Sequence, residues 1–127
     1  MTTLYRAGEI NETATAAGQC WAREEESAAL YLDRYAHGAT ASRVMRTMEA
    51  EGECLDLTGA THTALDSLSS ALGEDLSQWV GFRIWEVIED IRPWAALAAA
   101  GYDWVAYDDE HEDGAQYVDG ETWVATH

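Results

Sequence analysis

Gly101-Tyr102-Asp103-Trp104-Val105-Ala106-Tyr107-Asp108-Asp109-Glu110-His111 is the stretch on which the fold class turns. Tyr102–Tyr107 has the aromatic and β-branched content of a buried strand, and it runs straight into four ionisable residues. Downstream, Ala115–Val118 and Thr122–Ala125 read as two further strands. Asp119-Gly120 stands between them, a dipeptide that favours a two-residue hairpin turn. The chain therefore closes on strands.

The segments upstream alternate between strand and helix signals. Thr3–Ala7 reads as a short buried strand and Gln19-Cys20-Trp21-Ala22 as a second. Glu24-Glu25-Glu26 opens a helix, because acids in a first turn complement the helix dipole. Its apolar stripe is Ala28, Tyr31, Leu32 and Tyr35, and His37-Gly38 ends it. Arg43–Ala50 has β character, with Val44, Met45 and Met48 as its apolar positions. Cys54-Leu55-Asp56-Leu57 is another short strand, with a turn at Thr58-Gly59. A helix carrying Leu65, Leu68 and Leu72 breaks at Gly73. Phe82–Ile91 places Ile84, Trp85, Ile88 and Ile91 on one face, and Pro93 starts a further helical piece through Ala100. The expected order, β-β-α-β-β-α-α-β-β-β, is an α+β domain: a small mixed sheet with flanking helices, in one unit spanning 1–127.

Charge is the second strong signal. Twenty-four acids face seven basic residues, all arginine, for a net charge of −17. Such a body repels DNA and RNA phosphates, which argues against a nucleic-acid binder. It suits a protein partner with a basic surface, since opposite potentials speed encounter; solubility or a salt-adapted host accounts for the charge equally well. No apolar run reaches the roughly 18 residues of a membrane span. The first residues lack the basic-then-apolar plan of a signal peptide, so export is not expected. Cys20 and Cys54 are too few for a disulfide framework. Six tryptophans and six tyrosines argue against disorder.

Two constellations carry chemistry. Arg6 follows apolar Leu4 near a strand end, and its planar fork suits ribose hydroxyls or a pyrophosphate; a salt bridge to one of the many acids is the plain alternative. Asp108, Asp109 and Glu110 crowd like charges together, with a solvated acidic turn as the plain alternative. Alternation sets Tyr107 and Asp109 on one face and Asp108 and Glu110 on the other, so only one pair can meet a site. Asp109-Glu110-His111-Glu112-Asp113-Gly114 fails as a calcium loop: His111 stands third and Gly120 twelfth, where a bidentate glutamate is required. No zinc set has ligand spacing, so no metal is expected. Cys20 has no activating base beside it, and Cys54 reads as core.

Together, Tyr5-Arg6-Ala7-Gly8, Cys20-Trp21-Ala22-Arg23 with its helix, Cys54-Leu55-Asp56-Leu57 and Tyr107-Asp108-Asp109-Glu110 resemble the ADP-ribosyltransferase fold. Trp85-Glu86, Gly101-Tyr102 and Asp108-Asp109-Glu110-His111 resemble, in the same order, the tail of phage anti-CRISPR proteins that ADP-ribosylate a type I CRISPR surveillance complex. The resemblance implies NAD as substrate. It places Arg6, Ala7, Gly8, Trp21 and Arg23 around NAD, and Asp109 as the catalytic carboxylate with Glu110 second. Trp21 and Tyr31 could stack on nicotinamide or adenine, with a core position as the plain alternative; Tyr31 is read as core and Trp21 as the stacking candidate. The resemblance implies as partner a protein subunit of a CRISPR-Cas complex with a basic surface, in the host cytoplasm, with no direct nucleic acid and no membrane. Two departures stand out. Ala7 interrupts the arginine-glycine pair, and the second motif lacks a hydroxyl, so a fold kept for binding alone stays open. An acidic inhibitor that mimics nucleic acid on a basic groove is the non-enzymatic alternative. A toxin on the same fold is not separable from sequence.

Overall fold

The computed structural model describes residues 2–9, 16–29, 43–59, 63–113 and 116–127; of positions 9, 43, 109–113 and 116–119 it describes the backbone alone. The described elements are β1 (Thr2–Glu9), β2 (Cys20–Ala22), the opening of α1 (25–29), β3 (Arg43–Ala50), β4 (Cys54–Asp56), α2 (Ala64–Leu72), a 3-10 turn (Ser77–Trp79), α3 (Ile84–Ile91), α4 (Trp94–Ala99), β5 (Trp104–Asp113) and β6 (Gln116–Ala125). The expected α+β class holds. The six strands form one mixed sheet in the order β3-β1-β2-β6-β5-β4, antiparallel throughout except for parallel β4–β5. The stripe residues Tyr31, Leu32 and Tyr35 and the stop at His37-Gly38 lie outside the described residues.

The helices α2, α3 and α4 cover one face of the β4-β5-β6 half. Leu68, Ile88 and Leu97 are fully buried there against Leu57, Val105, Tyr107 and Val124. Burial of each such side chain contributes about 1.5–3 kcal/mol relative to exposure. On α3 the buried stripe is built on Val87 and Ile88, with Ile84 and Ile91 half-buried beside them. Helix α3 starts two residues later than expected: the backbone N–H of Arg83 donates to Glu86 Oε2 at 2.9 Å, and Phe82 stays exposed. Helix α2 ends at Gly73 as expected, in the left-handed conformation at φ 66°.

The closing strands differ from expectation. β5 and β6 pair without a break from Trp104↔Ala125 to Asp113↔Gln116, so Asp119-Gly120 lies inside β6 and is not a turn. The reason is tertiary. Gly120 passes under the start of α1, where a Cβ would come 3.0 Å from Ser27 Oγ. Glycine serves a close approach here, a use that its local sequence does not distinguish from a turn.

The other face is closed by curvature. Edge strands β3 and β4 would stand about 24 Å apart in a flat sheet of this order. Yet Ala50 and Cys54 are joined by three residues, a reach of about 14 Å at most. The sheet therefore curls until its edges meet at this end. Trp104 Nε1 donates to Glu51 O at 3.0 Å, and the Asp103 N–H donates to Glu53 O at 2.8 Å. The inside of the curl buries Leu4, Trp21, Trp104 and Ala125, with Met48, Ala50, Cys54 and Trp123 packed against them.

Candidate functional site

Strand parity selects what faces into the curl. Register places Arg46, Arg6, Trp21, Trp123, Ala106 and Asp56 in one row across the six strands. Two residues along each strand, the next inward row holds Met48, Leu4, Arg23, Glu121 and Asp108. Among the residues whose side chains are described, the inner face carries Arg46 and Arg6 on its β3-β1 side, with Arg23 just past β2, and Asp56, Asp108 and Glu121 on its β6-β5-β4 side. Tryptophans fill the space between, as the 6.1 Å separation of the Trp104 and Trp123 rings shows.

The contacts of the three arginines include backbone and ring partners. Arg6 Nη1 donates to Cys20 O at 2.8 Å. The Arg46 guanidinium lies 5.6 Å from the centre of the Trp21 ring, a cation–π distance. Arg23, one residue past β2, donates through its backbone N–H to Glu121 O at 3.0 Å and through Nη1 to Thr3 O at 3.4 Å. On the acidic side, Glu121 Oε1 accepts the Trp123 indole N–H at 2.9 Å. Asp108 Oδ2 accepts the Gly59 N–H at 2.9 Å, and Asp56 Oδ1 accepts the Thr58 N–H at 2.9 Å. Asp108 and Glu121 stand directly opposite each other on β5 and β6. Facing like charges on a strand pair cost stability.

Cys54 reports the same crowding. Burial, then the Asp56 and Glu121 carboxylates, push its thiol up to about 12 against the pull of the Ala106 backbone. A thiol so raised is inert near neutral pH, as its reading as core implies.

The positions singled out in the sequence separate. Arg6 and Trp21 come together on neighbouring strands, with Arg23 one row away. Gly8 is buried on the same face, while Ala7 has the opposite parity. Trp21 is 2 % exposed and its Nε1 donates to Gln19 Oε1 at 3.1 Å. Its rings serve the interior, and stacking a ligand on them would require that packing to open. Position 109 has the parity of Tyr107, which is buried on the helix side, and position 110 has the parity of Asp108. Asp109 lies opposite Gly120 and Glu110 opposite Asp119, both inside β5; the acidic run is strand, not turn. The sequence does not single out Glu121 or Arg46: a turn at Asp119-Gly120 would leave Glu121 outside the strand, and Arg46 comes to face Arg6 only through the β1–β3 register.

The closed end of the curl holds a cavity of about 370 Å³ lined by Met48, Glu49, Glu51, Asp103, Trp104 and His127 among others. Asp103 closes it, with Oδ1 on His127 Nε2 at 2.8 Å and Oδ2 accepting the Glu53 N–H at 3.0 Å. These bonds, that to His127 foremost, hold its carboxyl below the ordinary value of 3.8. A depressed carboxyl contributes stability that is present above its ordinary pKa and lost as pH falls through its folded value. Thermal unfolding of the wild type and Asp103→Asn from about pH 6 to about pH 3 should therefore give a difference that shrinks toward the acid end. A constant difference would remove Asp103 as the source of that acid sensitivity.

Among the described residues no three His, Cys, Asp or Glu side chains are grouped to hold a metal, and no helix is long and apolar enough to cross a membrane. Comparison with protein-family models, curated proteins and solved structures finds no match.

Proposed function

We propose that this chain is an NAD-dependent mono-ADP-ribosyltransferase of the phage anti-CRISPR kind, and that NAD lies along the inner face of the curled sheet. The observation that carries the reading is that the inner face sets Arg6 and the Asp108–Glu121 pair to either side of its packed tryptophans. A dinucleotide needs a cation at its phosphates and a carboxylate at the ribose whose bond breaks. In the proposed step the C1′–nitrogen bond of the nicotinamide ribose breaks and its electron pair leaves with nicotinamide. A carboxylate stabilises the positive charge that develops on the ribose, and a nucleophilic side chain of the target bonds to C1′ and gives up its proton. The resemblance favours Asp109 or Glu110 for that carboxylate; the inner-face geometry favours Glu121, with Asp108 opposite.

The target class follows from charge. A net charge of −17 draws the protein to a basic surface, and the proposed partner is a subunit of a bacterial CRISPR surveillance complex that reads DNA through such a surface. Mass spectrometry of candidate subunits incubated with the chain, with and without NAD, tests the reading. A gain of one ADP-ribose that depends on NAD is the expected result. Tight binding and inhibition with no mass gain would replace it with the acidic, nucleic-acid-mimicking inhibitor.

A further inference from the structure

We propose that the turn over residues 79–82 is a docking surface for a basic protein partner, with Phe82 and Val80 as its apolar anchors. Only the basic character of the partner rests on the reading above; NAD and group transfer play no part. Among the described residues three large apolar side chains are exposed, and two of them stand together here: Val80 at 72 % and Phe82 at 56 %. Phe82 is also the one phenylalanine of the chain. Its ring meets the Trp79 ring edge-on at 5.3 Å, and Trp79 packs in turn against the helix-side core. The Trp79 Nε1–H is buried without a hydrogen-bond partner, so the arrangement costs the isolated chain stability. The backbone fixes the display. Trp79 N–H donates to Leu76 O at 2.9 Å, Val80 N–H to Ser77 O at 3.2 Å and Phe82 N–H to Trp79 O at 3.0 Å, with Leu76 itself buried. Anchors held this way lose little freedom on binding.

Charge and area decide the occupant. A stable interface buries about 1,200–2,000 Å² in total, far more than two side chains supply, so the surface around the anchors must take part. That surface is acidic. Residues 74–92 carry five acids against two arginines, and Glu74, Asp75, Glu89 and Asp90 are exposed. Asp75 Oδ1 accepts the Ser77 N–H at 2.9 Å at one end of the turn, and Glu86 Oε2 accepts the Arg83 N–H at the other, so carboxylates bracket the anchors. A second copy of the chain would set these carboxylates, and a net charge of −17, against their like. A partner surface with an apolar centre ringed by lysine or arginine satisfies both parts. The anchors fill its centre and the carboxylates meet its rim.

The probe is a synthetic amphipathic helix of leucine and lysine, which presents an apolar stripe edged by cations, with a leucine and glutamate helix as control. Each is titrated into the isotope-labelled full chain at about 0.15 M salt and followed by amide NMR. The lysine helix should shift the amides of Val80, Gly81 and Phe82 and the indole N–H of Trp79 most. Phe82→Ser should weaken its binding about 10-fold or more and Val80→Ser about 3-fold, as expected for loss of an anchor. Val44→Ser, at the third exposed apolar position, should bind like wild type. Circular dichroism establishes folding; if Phe82→Ser does not fold, Val80→Ser carries the test. No binding of the lysine helix, shifts centred elsewhere, wild-type affinity in the folded serine variants at 80 and 82, or equal binding of the glutamate helix would each overturn the proposal. Dimers seen by ultracentrifugation and broken by Phe82→Ser would overturn it too, and give the patch to a second copy. In the transfer assay Phe82→Ser should raise KM for the protein target and leave KM for NAD unchanged. Transfer unaffected by Phe82→Ser would remove the docking surface and keep the enzyme. Binding that depends on Phe82, with no transfer to any target, would keep the surface and remove the enzyme.

Discussion

If the proposed ADP-ribosyl transfer takes place on the inner face, Glu121→Gln should lower it on the order of 10²–10³-fold, the usual loss when one preorganised electrostatic group is removed from a transition state. The change keeps the shape of the side chain and an acceptor oxygen for the Trp123 indole N–H, so the packing of the inner face persists. Only the charge opposite Asp108 is lost. The measurement compares initial rates of Glu121→Gln, Asp109→Ala and Glu110→Ala on one target, each shown to be folded by circular dichroism and gel filtration. Full activity in Glu121→Gln combined with loss in Asp109→Ala would place the reacting ribose on the Tyr107 side of β5. The inner face would then no longer be the site. Loss in Glu110→Ala alone would keep the inner face and move the chemistry two residues along β5 from Asp108.

Gly52→Ala destabilises the fold by about 2–4 kcal/mol, roughly a 10 °C fall in melting temperature for a domain of this size. Gly52 lies in the short link between the two edge strands, at φ 96°, where a side chain is strained. A Cβ there would also come 2.0 Å from Asp103 Oδ2 and 3.0 Å from Asp103 Cβ. Asp103 would have to swing away from the Glu53 N–H and from His127, breaking the bonds that close this end of the curl. Asp103→Ala separates the two causes. In that background the substitution should cost only the backbone part, about 1–2 kcal/mol. A Gly52→Ala protein within about 0.5 kcal/mol of wild type would mean that the link does not constrain the closure.

Much of the architecture was legible in the sequence because it depends on neighbours along the chain. The apolar spacing around Leu65, Leu68 and Leu72, the stop at Gly73 and the β-rich runs at Arg43–Ala50 and Tyr102–Tyr107 each describe one element, and each element formed. Local signals failed where a distant segment decided the outcome. Asp119-Gly120 has turn chemistry, yet it became mid-strand because α1 passes over Gly120 and the β5–β6 pairing stays unbroken around it. Trp21 looked like a stacking platform beside Arg23, yet the curl of the sheet seals it inside with Leu4 and Trp104.

The candidate site divides in the same way. The sequence alone determined the charge, the α+β class, and the presence of an arginine on the first strand and a carboxylate cluster on a late one, because composition and periodicity are properties of the chain itself. It could not determine which charged residues face one another across the sheet. That depends on the parity of every strand, on the order β3-β1-β2-β6-β5-β4, and on the three-residue link that forces the edges together. A shift of one residue in any register would send a side chain to the opposite face. Only the tertiary structure set Arg46 against Arg6 and Glu121 against Asp108, since side chains about 40 residues apart in one pair and 13 in the other meet only once the sheet has paired.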